Sequence, residues 1–579
     1  MTEMKASQAL VKELENWGID HVYGIPADSI IDGFAPEQAS VNYIQVRHEE
    51  VGALAAAAET KLTGKIGVAL ASVGPGAVHL LYGMVDAKMD HTPMLLIMST
   101  VATSMINTRF IQDMDEDELF ASLDTFHEQI SNPQQIPDTI RRAITAAYET
   151  QSPSVVIIPD NLASKTINYT PVPVQHIQQQ KGSGTREQVY ETINLIKSAQ
   201  RPVMVVGTGI RDAKAAVVGV SKKFGLPVIS SAPAAGMVPS NFENFMGSQG
   251  RIGTQPAYEV LHAADLVLMV GSANSFVRFL DKNVTFIQVN DQASELGRQA
   301  AGTQMILADS GTYLQQLIDA QPDRLPETSF LKAAQRSRAN WLKYLDARAA
   351  ERPEGLLTAE GVLKEVGTLA DADTIYELDI GNNTVWATRS LPFDQNQKMT
   401  MSAWFGAMGY AVSAGIAAKI AEPDRRVITV SGDGGFSMIV QDILTQVQYQ
   451  LPIINVVLEN GGFGFIRQEK ANSGQSDYAL NFKNANWAGV AENMGAIGLR
   501  VTDDASLTAA IQKCNDLIQA GNTTPIVIDA IISDQPPLET GRMALDPKVD
   551  SADEIKVFRA QYNFPADKYP ALSTLIDQN

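Results

Sequence analysis

The residues best suited to chemistry follow two apolar runs in the last third of the chain. Gly432-Asp433-Gly434 comes at the end of the run Arg426–Ser431, and Asn460 follows the run Ile453–Leu458. If both runs are parallel strands, Asp433 and Asn460 stand at strand C-termini, where α/β sheets bind ligands. A carboxylate and an amide oxygen, with a backbone carbonyl and two phosphate oxygens, can complete an octahedral Mg²⁺ shell. The pattern therefore predicts a magnesium–diphosphate site, although a glycine-rich turn with a helix-capping Asp would have the same local sequence.

A second candidate lies near the N-terminus, where a short apolar run gives way to an alanine-rich helical stretch. Glu49 and Glu50 stand at this change, after Val46-Arg47-His48. One of two adjacent carboxylates would face the top of the sheet and the other would face solvent. A buried carboxylate there would have a raised pKa and could share a proton with a ligand nitrogen. The alternative is a pair of acidic residues that stabilise the first turn of a helix.

Short apolar runs alternate with helical patterns along most of the chain, which predicts α/β structure with parallel sheets covered on both faces. Three such series are present, so we expect three doubly wound parallel-sheet domains. Their predicted bounds are residues 1–180, 184–345 and 355–535, followed by a tail at 536–579. The predicted strands are, in order, His21–Pro26, Tyr43–Val46, Ile66–Ser72, Met94–Ser99 and Ser154–Ile158; Val203–Val206, Pro227–Ile229, Leu266–Val270, Thr285–Val289 and Gln304–Leu307; Thr374–Leu378, Val427–Val430, Ile453–Val457 and Ile526–Asp529.

Composition excludes several classes of partner. The 579 residues include 45 Lys+Arg and 65 Asp+Glu, a formal net charge of −20. Phosphate backbones and anionic lipid need clustered basic residues, so we expect no nucleic acid and no membrane as partners. The single cysteine, Cys514, excludes a disulfide framework and a multi-cysteine zinc site. With no apolar signal segment at the N-terminus and no long apolar run, we expect a cytoplasmic protein.

Together the Gly-Asp-Gly and Asn pair and the early Glu resemble the thiamine diphosphate-dependent enzymes. Longer strings extend the resemblance over essentially the whole chain, and within the family they are most similar to the flavin-dependent oxidases that act on pyruvate. These strings are Tyr23–Pro26, Tyr43–Ala53, Lys61–Val68, Gln446–Tyr449, Leu451–Val457 and Gly464–Ile466. The resemblance implies the thiamine diphosphate-binding fold, with a central FAD-binding Rossmann-like domain. It also implies thiamine diphosphate, Mg²⁺ and FAD as cofactors.

The same resemblance assigns roles to residues of the outer domains. It implies that Glu49 hydrogen-bonds the pyrimidine ring nitrogen of the cofactor and that Met408 wedges the cofactor into a V shape. It implies Mg²⁺ ligands at Asp433, Asn460 and the carbonyl of Gly462. Further cofactor-binding positions that it implies are Ile25, His79, Ile380, Gly381, Gly432, Gly434 and Gly435. Met408 could equally be an ordinary core residue, and His79 could lie on a helix surface.

In the middle domain the resemblance is weaker. The implied flavin-binding residues are Gly207, Gly209, Arg211, Arg251, Asn290 and Asp291. Gly207 and Gly209 follow a strand, but the third glycine of a dinucleotide fingerprint is absent, so a tight strand–helix turn explains them as well. Asn290-Asp291-Gln292-Ala293 stands where the oxidases usually have Asp-Ile/Val-Asp-Pro. Ser275–Arg278 and Arg298-Gln299 replace two other typical strings.

The resemblance also implies a substrate pocket with Gln112, Phe465 and Glu469 as catalytic residues. The implied reaction is oxidative decarboxylation of pyruvate with phosphate and oxygen to acetyl phosphate, carbon dioxide and hydrogen peroxide, through a hydroxyethyl intermediate that FAD oxidises. Ile111 stands where these oxidases usually have an aromatic residue. That change leaves open a carboligase such as acetohydroxyacid synthase, or another 2-oxo-acid decarboxylase, with a structural or absent flavin. A cofactor-binding protein without oxidase turnover is a third possibility.

In this family the N-terminal domain of one subunit covers the diphosphate domain of another. The resemblance therefore implies a homo-oligomer, at least a dimer and commonly a tetramer. Residues Tyr569–Asn579 are short and weakly apolar, which favours an oxygen-linked enzyme over one that docks on a membrane to reach a quinone.

Overall fold

Three six-stranded parallel sheets follow one another along the chain in the computed structural model. The structure describes residues 2–35, 40–123, 125–174, 181–250, 252–273, 284–298, 302–394, 396–472, 474–538, 551–553, 568–570 and 572–576. Every pair of neighbouring strands within these sheets is parallel, and helices connect them. The predicted α/β class with three parallel sheets is confirmed.

The N-terminal sheet has the strand order β3-β2-β4-β5-β7-β6, and β1 pairs with β8 in a separate antiparallel ribbon. Its strands are β1 Thr2–Lys5, β2 His21–Gly24, β3 Asn42–Gln45, β4 Gly67–Ala71, β5 Met94–Thr100, β6 His127–Gln129, β7 Pro153–Pro159 and β8 Thr166–Tyr169. Its helices are α1 Ala6–Asn16, α2 Glu49–Thr63, α3 Pro75–Met89, α4 Glu116–Ala121, α5 Ile136–Thr150 and α6 Asp160–Ala163.

The middle sheet has the order β11-β10-β9-β12-β13-β14. Its strands are β9 Pro202–Val206, β10 Val228–Ser230, β11 Phe245–Ser248, β12 Leu266–Val270, β13 Thr285–Asn290 and β14 Gln304–Leu307. Its helices are α7 Arg186–Ser198, α8 Lys214–Phe224, α9 Gln255–Ala263, α10 Ser310–Ala320 and α11 Ser329–Ala350. Helix α11 spans the predicted end of this domain at residue 345.

The C-terminal sheet has the order β16-β15-β17-β18-β20-β19. Its strands are β15 Ile375–Leu378, β16 Lys398–Met401, β17 Val427–Gly432, β18 Ile454–Glu459, β19 Ile497–Val501 and β20 Ile526–Ile531. Its helices are α12 Ala359–Gly367, α13 Asn382–Ser390, α14 Tyr410–Ala421, α15 Asp433–Ile439, α16 Ile443–Gln448, α17 Gly464–Asn472, α18 Trp487–Asn493 and α19 Asp504–Gln519. The short helix α20, Leu572–Ile576, packs against the middle domain, where Leu572 joins the same core as Phe330.

Helix α2 is the central element between the outer domains. It begins at Glu49, where two acidic residues in the first turn complement the helix dipole. It ends at Thr63 and is followed by the capping residue Gly64, whose φ of 75° suits glycine. Between these ends nearly every residue is buried, and five of them are alanine. One side packs closely on α3, because a Cβ at Gly83 would lie 2.5 Å from that of Ala53.

A single hydrophobic core joins the N-terminal and C-terminal domains. It contains alanines of α2 together with Tyr410, Val412, Ala414 and Ile416 of α14. The middle domain has separate cores, centred on residues such as Met204 and Leu268 in one and Val203 and Val267 in the other. The two outer domains thus form one packed body, although they are far apart in the sequence.

A buried carboxyl lies inside the C-terminal sheet. Glu377 of β15 faces Thr400 of β16, whose hydroxyl donates a hydrogen bond to the Glu377 carboxyl and lies 2.9 Å from the Tyr410 hydroxyl. Burial raises the pKa of Glu377 to about 8, although the Thr400 hydrogen bond and the nearby Lys61 oppose this. At neutral pH the group therefore holds its proton in the folded state.

We expect Glu377 to make the protein less stable as the pH rises from 6 to 9. The unfolded chain releases this proton near its ordinary pKa, so between that value and about 8 the folded state binds more protons. Stability then falls by roughly 1.4 kcal/mol per pH unit, and the loss is complete above the folded pKa.

Glu377→Gln removes this contribution, so its melting temperature should fall less between pH 6 and pH 9 than that of the wild type. Glu365→Gln, an exposed control on α12, should behave like the wild type. Equal falls for the wild type and Glu377→Gln would contradict the assignment.

Candidate active site

Three neighbouring strands of the C-terminal sheet, β15, β17 and β18, end at one edge. Asp379 follows β15, Asp433 follows β17 and Asn460 follows β18. Because these strands are parallel and adjacent, the three polar residues share the carboxyl edge of the sheet. The structure places Asp433 and Asn460 at strand C-termini as the sequence indicates.

Asp433 is buried, with 2% of its surface exposed. Its carboxylate accepts hydrogen bonds from the backbone N–H of Gly434 at 2.9 Å, from that of Gly461 at 2.7 Å and from Nδ2 of Asn484 at 2.8 Å. Burial raises the pKa of Asp433, and these hydrogen bonds oppose that shift. The side chain does not cap α15, so the alternative of a simple helix-capping Asp does not fit.

Asn460 and Gly462 lie on the turn between β18 and α17. A Cβ placed on Gly464 would lie 2.7 Å from Nδ2 of Asn460 and 3.0 Å from Nδ2 of Asn382, so the two amide side chains are neighbours. The Gly462 carbonyl accepts the N–H of Gly464 at 2.9 Å, and a carbonyl has a second lone pair for another partner.

The donor set at this edge fits a divalent cation. Among the described residues no basic side chain forms an ion pair with Asp433, and Oδ1 of Asn382 is buried without a hydrogen-bond partner. A buried carboxylate that has hydrogen bonds but no positive charge beside it still carries a desolvation cost, and a hard cation with oxygen ligands would lower that cost. Asp433, Asn460 and the Gly462 carbonyl are therefore suited to Mg²⁺.

Asp379 organises the loops beside this donor set. It is fully buried and accepts hydrogen bonds from the N–H of Ile380 at 2.8 Å, the N–H of Gly409 at 3.0 Å and the Ser431 hydroxyl at 3.3 Å. Burial raises its pKa to about 6. Asp379 is not among the residues predicted for the site, although its position directly after a predicted strand was a usable signal.

Met408 reaches the first turn of α15. A Cβ on Gly434 would lie 3.3 Å from Cε of Met408, and one on Gly435 would lie 2.7 Å from the Asp379 carboxylate. A larger residue at Gly435 would collide with the Asp379 carboxylate, and one at Gly434 would press on the Phe463 ring, 2.9 Å from the added Cβ. The structure thus brings together most of the predicted C-terminal residues: Ile380, Gly381, Met408, Gly432, Gly434 and Gly435.

The predicted N-terminal residues gather at the carboxyl edge of their own sheet. Glu49 is the first residue of α2, and its side chain is 12% exposed. Its Oε2 lies 2.9 Å from Nδ1 of His79, and the His79 ring stacks on His48 with centroids 4.3 Å apart. Burial and the nearby His79 lower the pKa of His48, whereas Glu49 opposes that shift. Ile25 is half-buried just after β2.

The predicted pocket residues come from both outer domains. Gln112 belongs to an N-terminal loop and has a φ of 64°, and its Cβ would lie 3.1 Å from a Cβ on Gly74 at the start of α3. Ile111 beside it is 74% exposed. Phe465 and Glu469 lie on α17 and are both half-buried.

In the middle domain the turn after β9, which contains Gly207 and Gly209, packs against the turn at Gly271 after β12. A Cβ on Gly207 would lie 2.2 Å from the carbonyl oxygen of Gly271, and the N–H of Gly209 donates to that oxygen at 3.0 Å. The close approach of the two backbone turns thus leaves no room for a side chain at either glycine, and this explains both glycines without a ligand. Oδ1 of Asn290 accepts the N–H of Gln292 at 2.9 Å, so this side chain orders its own loop.

Two of the remaining predicted flavin residues have exposed side chains. These are Arg211, in the turn after β9, and Asp291, directly after β13. Arg251 lies outside the described residues. The ends of β9, β12 and β13 form one sheet edge, which is where doubly wound sheets hold dinucleotides. The place fits a flavin nucleotide, but the described residues supply few groups that would specify one.

Comparison with known protein families gives three matches in chain order. The N-terminal TPP-binding domain of thiamine pyrophosphate enzymes matches residues 4–119, the central domain of these enzymes matches 189–317, and their C-terminal TPP-binding domain matches 379–530. The chain belongs to the thiamine pyrophosphate enzymes. Thiamine pyrophosphate and thiamine diphosphate are two names for one cofactor, so the predicted family is confirmed.

Individual thiamine pyrophosphate enzymes are similar over nearly the whole chain. A pyruvate oxidase of Lactiplantibacillus plantarum is 35% identical over 596 residues, covering 100% of this chain and 96% of the oxidase. The thiamine pyrophosphate-containing protein YdaP of Bacillus subtilis is 35% identical, covering 93% of both chains. The acetolactate synthase large subunit of Corynebacterium glutamicum is 28% identical, covering 92% of this chain and 87% of the synthase.

The structure adds two residues to the predicted site of this thiamine pyrophosphate enzyme, Asp379 and Asn484. Asn484 lies between α17 and α18 without a strand or helix pattern around it, so no local signal marks it. Among the described residues, no helix combines the length and apolar composition that crossing a membrane requires.

Proposed function

We propose that this enzyme oxidatively decarboxylates pyruvate with phosphate and oxygen, giving acetyl phosphate, carbon dioxide and hydrogen peroxide. The observation that carries the proposal is the match to a pyruvate oxidase along 96% of that protein's length, at 35% identity against 28% for the acetolactate synthase large subunit of Corynebacterium glutamicum. The cofactors would be thiamine diphosphate, Mg²⁺ and FAD. The low cysteine content fits a reducing cytoplasm.

The C-terminal domain would bind the metal and the diphosphate. Asp433, Asn460 and the Gly462 carbonyl would hold Mg²⁺, with Asn484 orienting the Asp433 carboxylate through its hydrogen bond. The N–H of Gly435, in the first turn of α15, would face the diphosphate, whereas that of Gly434 holds the Asp433 carboxylate in place. Local dipoles and the metal would thus hold an anion on a protein whose net charge is −20.

The N-terminal domain would control a proton. When bound, thiamine diphosphate supplies a carbanion that attacks the 2-oxo carbon, and FAD supplies an acceptor for two electrons on their way to oxygen. Glu49 would hold a proton at the pyrimidine ring nitrogen of the cofactor, and His79 at 2.9 Å would orient the Glu49 carboxylate. Met408 would support the bound cofactor, because its side chain reaches the first turn of α15, where the diphosphate would bind.

The proposed active unit is a homo-oligomer, at least a dimer and in the family commonly a tetramer. Exposed apolar side chains border both halves of the site: Val78 and Phe110 on the N-terminal domain, and Met438 and Ile466 on the C-terminal domain. Apolar surface beside a polar site is typical of an interface. A second protomer would cover it and bring one chain's Glu49 to another chain's Asp433.

The substrate would lie between Gln112 of one domain and Phe465 and Glu469 of another. Phe465 offers an aromatic surface, and Glu469 offers a carboxylate that can handle the proton of an acyl intermediate. Ile111 is the observation that favours the second candidate function, an acetolactate synthase-like carboligase, because an aliphatic side chain replaces the aromatic wall expected of an oxidase.

One spectrum distinguishes these candidates. We expect the purified protein to carry a flavin absorption band, and we expect pyruvate to bleach it under anaerobic conditions with thiamine diphosphate and Mg²⁺. Admitting oxygen in phosphate buffer should restore the band and yield acetyl phosphate and hydrogen peroxide in equal amounts. Omitting thiamine diphosphate is the matched control and should leave the band unchanged.

Other outcomes would overturn the proposal. A protein that binds no added FAD would exclude the oxidase reaction. A flavoprotein that pyruvate does not bleach, and that forms acetolactate instead, would establish the carboligase. Acetate in place of acetyl phosphate would identify water as the acyl acceptor.

A further inference from the structure

Three charged side chains form a buried cluster where the N-terminal domain meets the C-terminal domain. Nζ of Lys61 lies 2.9 Å from Oδ2 of Asp86 and 2.7 Å from Oδ2 of Asp90, and the three side chains are 10%, 0% and 6% exposed. Lys61 belongs to α2, Asp86 to α3, and Asp90 directly follows α3. Burying three charges has a large desolvation cost, and hydrophobic residues would serve general stability equally well. The cluster is therefore better explained by a need to hold particular neighbouring groups in place than by a need for general stability.

The cluster binds the backbone of one segment of the C-terminal domain, residues Met401–Tyr410. Asp90 accepts the N–H of Ala403 at 3.0 Å and that of Trp404 at 2.8 Å. Lys61 donates to the carbonyl of Met401 at 3.2 Å and lies 4.6 Å from the centroid of the Tyr410 ring. One buried cluster thus contacts the beginning, the middle and the end of this segment.

The opposite end of the segment is held from within the C-terminal domain. Asp379 accepts the N–H of Gly409, a residue whose φ of 87° suits glycine. The Ser402 hydroxyl oxygen accepts the N–H of Ala407 at 2.7 Å, which closes the segment into a compact loop. Tyr82 of α3 donates to the carbonyl of Met408 at 3.3 Å. Met408 is therefore fixed by contacts from both outer domains.

We propose that Lys61, Asp86 and Asp90 are positioning residues, which set where Met408 stands against the first turn of α15. The proposal rests on the proposed function only in that Met408 supports bound thiamine diphosphate. Hydrogen bonds from backbone N–H groups to a carboxylate are short and strong, so Asp90 restrains the segment more firmly than neutral contacts would. The N-terminal domain thereby prepares the cofactor site in its own chain.

Hydrogen exchange of the full-length protein without cofactor tests this restraint directly. We expect Asp90→Ala to speed exchange of the amides from Ala403 to Gly409 by roughly tenfold or more, since two hydrogen bonds to a charged acceptor are lost. Asp265→Ala is a closely matched control, because Asp265 also accepts two consecutive backbone N–H groups, those of Gln200 and Arg201, each at 2.8 Å. It should leave exchange in Met401–Tyr410 unchanged.

Titration with thiamine diphosphate and Mg²⁺ supplies the second measurement. Asp90→Ala should weaken cofactor binding about tenfold or more, whereas Asp265→Ala should leave the affinity unchanged. If Asp90→Ala does not fold, Asp90→Asn can be used, because it keeps one acceptor oxygen. Its exchange rates and its cofactor affinity should lie between those of the wild type and those expected for Asp90→Ala. Unchanged exchange in the segment, or unchanged cofactor affinity with faster exchange, would overturn the proposal. A wild-type protein that binds cofactor but never turns over pyruvate would instead contradict the proposed function alone.

Discussion

Glu49→Gln should lower pyruvate turnover by roughly 10²–10⁴-fold, the usual contribution of a positioned acid–base group. Glutamine has nearly the same size and can still accept a hydrogen bond from His79, but it cannot hold or release a proton at the pyrimidine nitrogen. Because the metal and diphosphate groups are on the C-terminal domain, binding of thiamine diphosphate with Mg²⁺ should change little. Exchange of the cofactor's C2 proton for deuterium, followed by NMR after acid quench, measures the affected step without any substrate.

Glu50→Gln is the matched control for this prediction. Glu50 is the next residue in the same helical turn, its side chain is 25% exposed, and its oxygen lies 3.8 Å from Nδ1 of His48. It should retain C2 exchange and turnover close to those of the wild type. If Glu49→Gln exchanged the C2 proton as fast as the wild type, Glu49 would have no part in the chemistry.

Asp433→Asn should weaken Mg²⁺-dependent binding of thiamine diphosphate by roughly a hundredfold or more, since interactions with a site metal are worth several kcal/mol. The substitution removes the anionic ligand. Because the N–H groups of Gly434 and Gly461 donate to different carboxylate oxygens, the amide nitrogen of Asn must face one of these two donors. Calorimetric titration of the cofactor at fixed Mg²⁺ measures the loss, and excess Mg²⁺ should recover only part of it.

A true helix-capping residue provides the comparison. Asp503 caps α19 by accepting the N–H of Ser506 at 2.8 Å. Asp503→Asn should leave cofactor binding unchanged, because Asn caps helices about as well as Asp. If both variants bound cofactor like the wild type, Asp433 would be a structural residue of the turn and not a metal ligand.

The sequence predicts those strands and site residues that are marked by the residues directly around them. Asp433 and Asn460 could be placed because each follows a strongly apolar strand, and parallel neighbours end at the same edge. The edge strands β16 and β19 were not predicted. β16 alternates Lys398 and Thr400 with two methionines, and β19 is largely half-exposed and contains Arg500, so neither has the apolar run of a central strand.

Residues whose role depends on tertiary contacts cannot be recognised from the sequence around them. The strand end before Asp379 marks its position in the sequence, but its role in ordering the loops depends on the donors Gly409 and Ser431, which are 30 and 52 residues further along the chain. The cluster of Lys61 and Asp90 acquires its meaning only when the Met401–Tyr410 segment lies against it. In the middle domain the weak fingerprint at Gly207 has a simple physical explanation, the close approach of the turn at Gly271.

The shared core of the outer domains also bears on how this chain is made. Helix α2 leaves the ribosome long before α14, its packing partner, so about 350 residues must follow at 5–20 residues per second, roughly 20–70 s. During that time the surface that α2 will present to α14 has no partner within the nascent chain. Alanine exposes little apolar area per residue. An alanine-rich helix therefore exposes less apolar surface to non-specific association than a helix rich in leucine or phenylalanine would. The alanine-rich composition of α2 therefore suits a helix whose packing partner, α14, is synthesised much later.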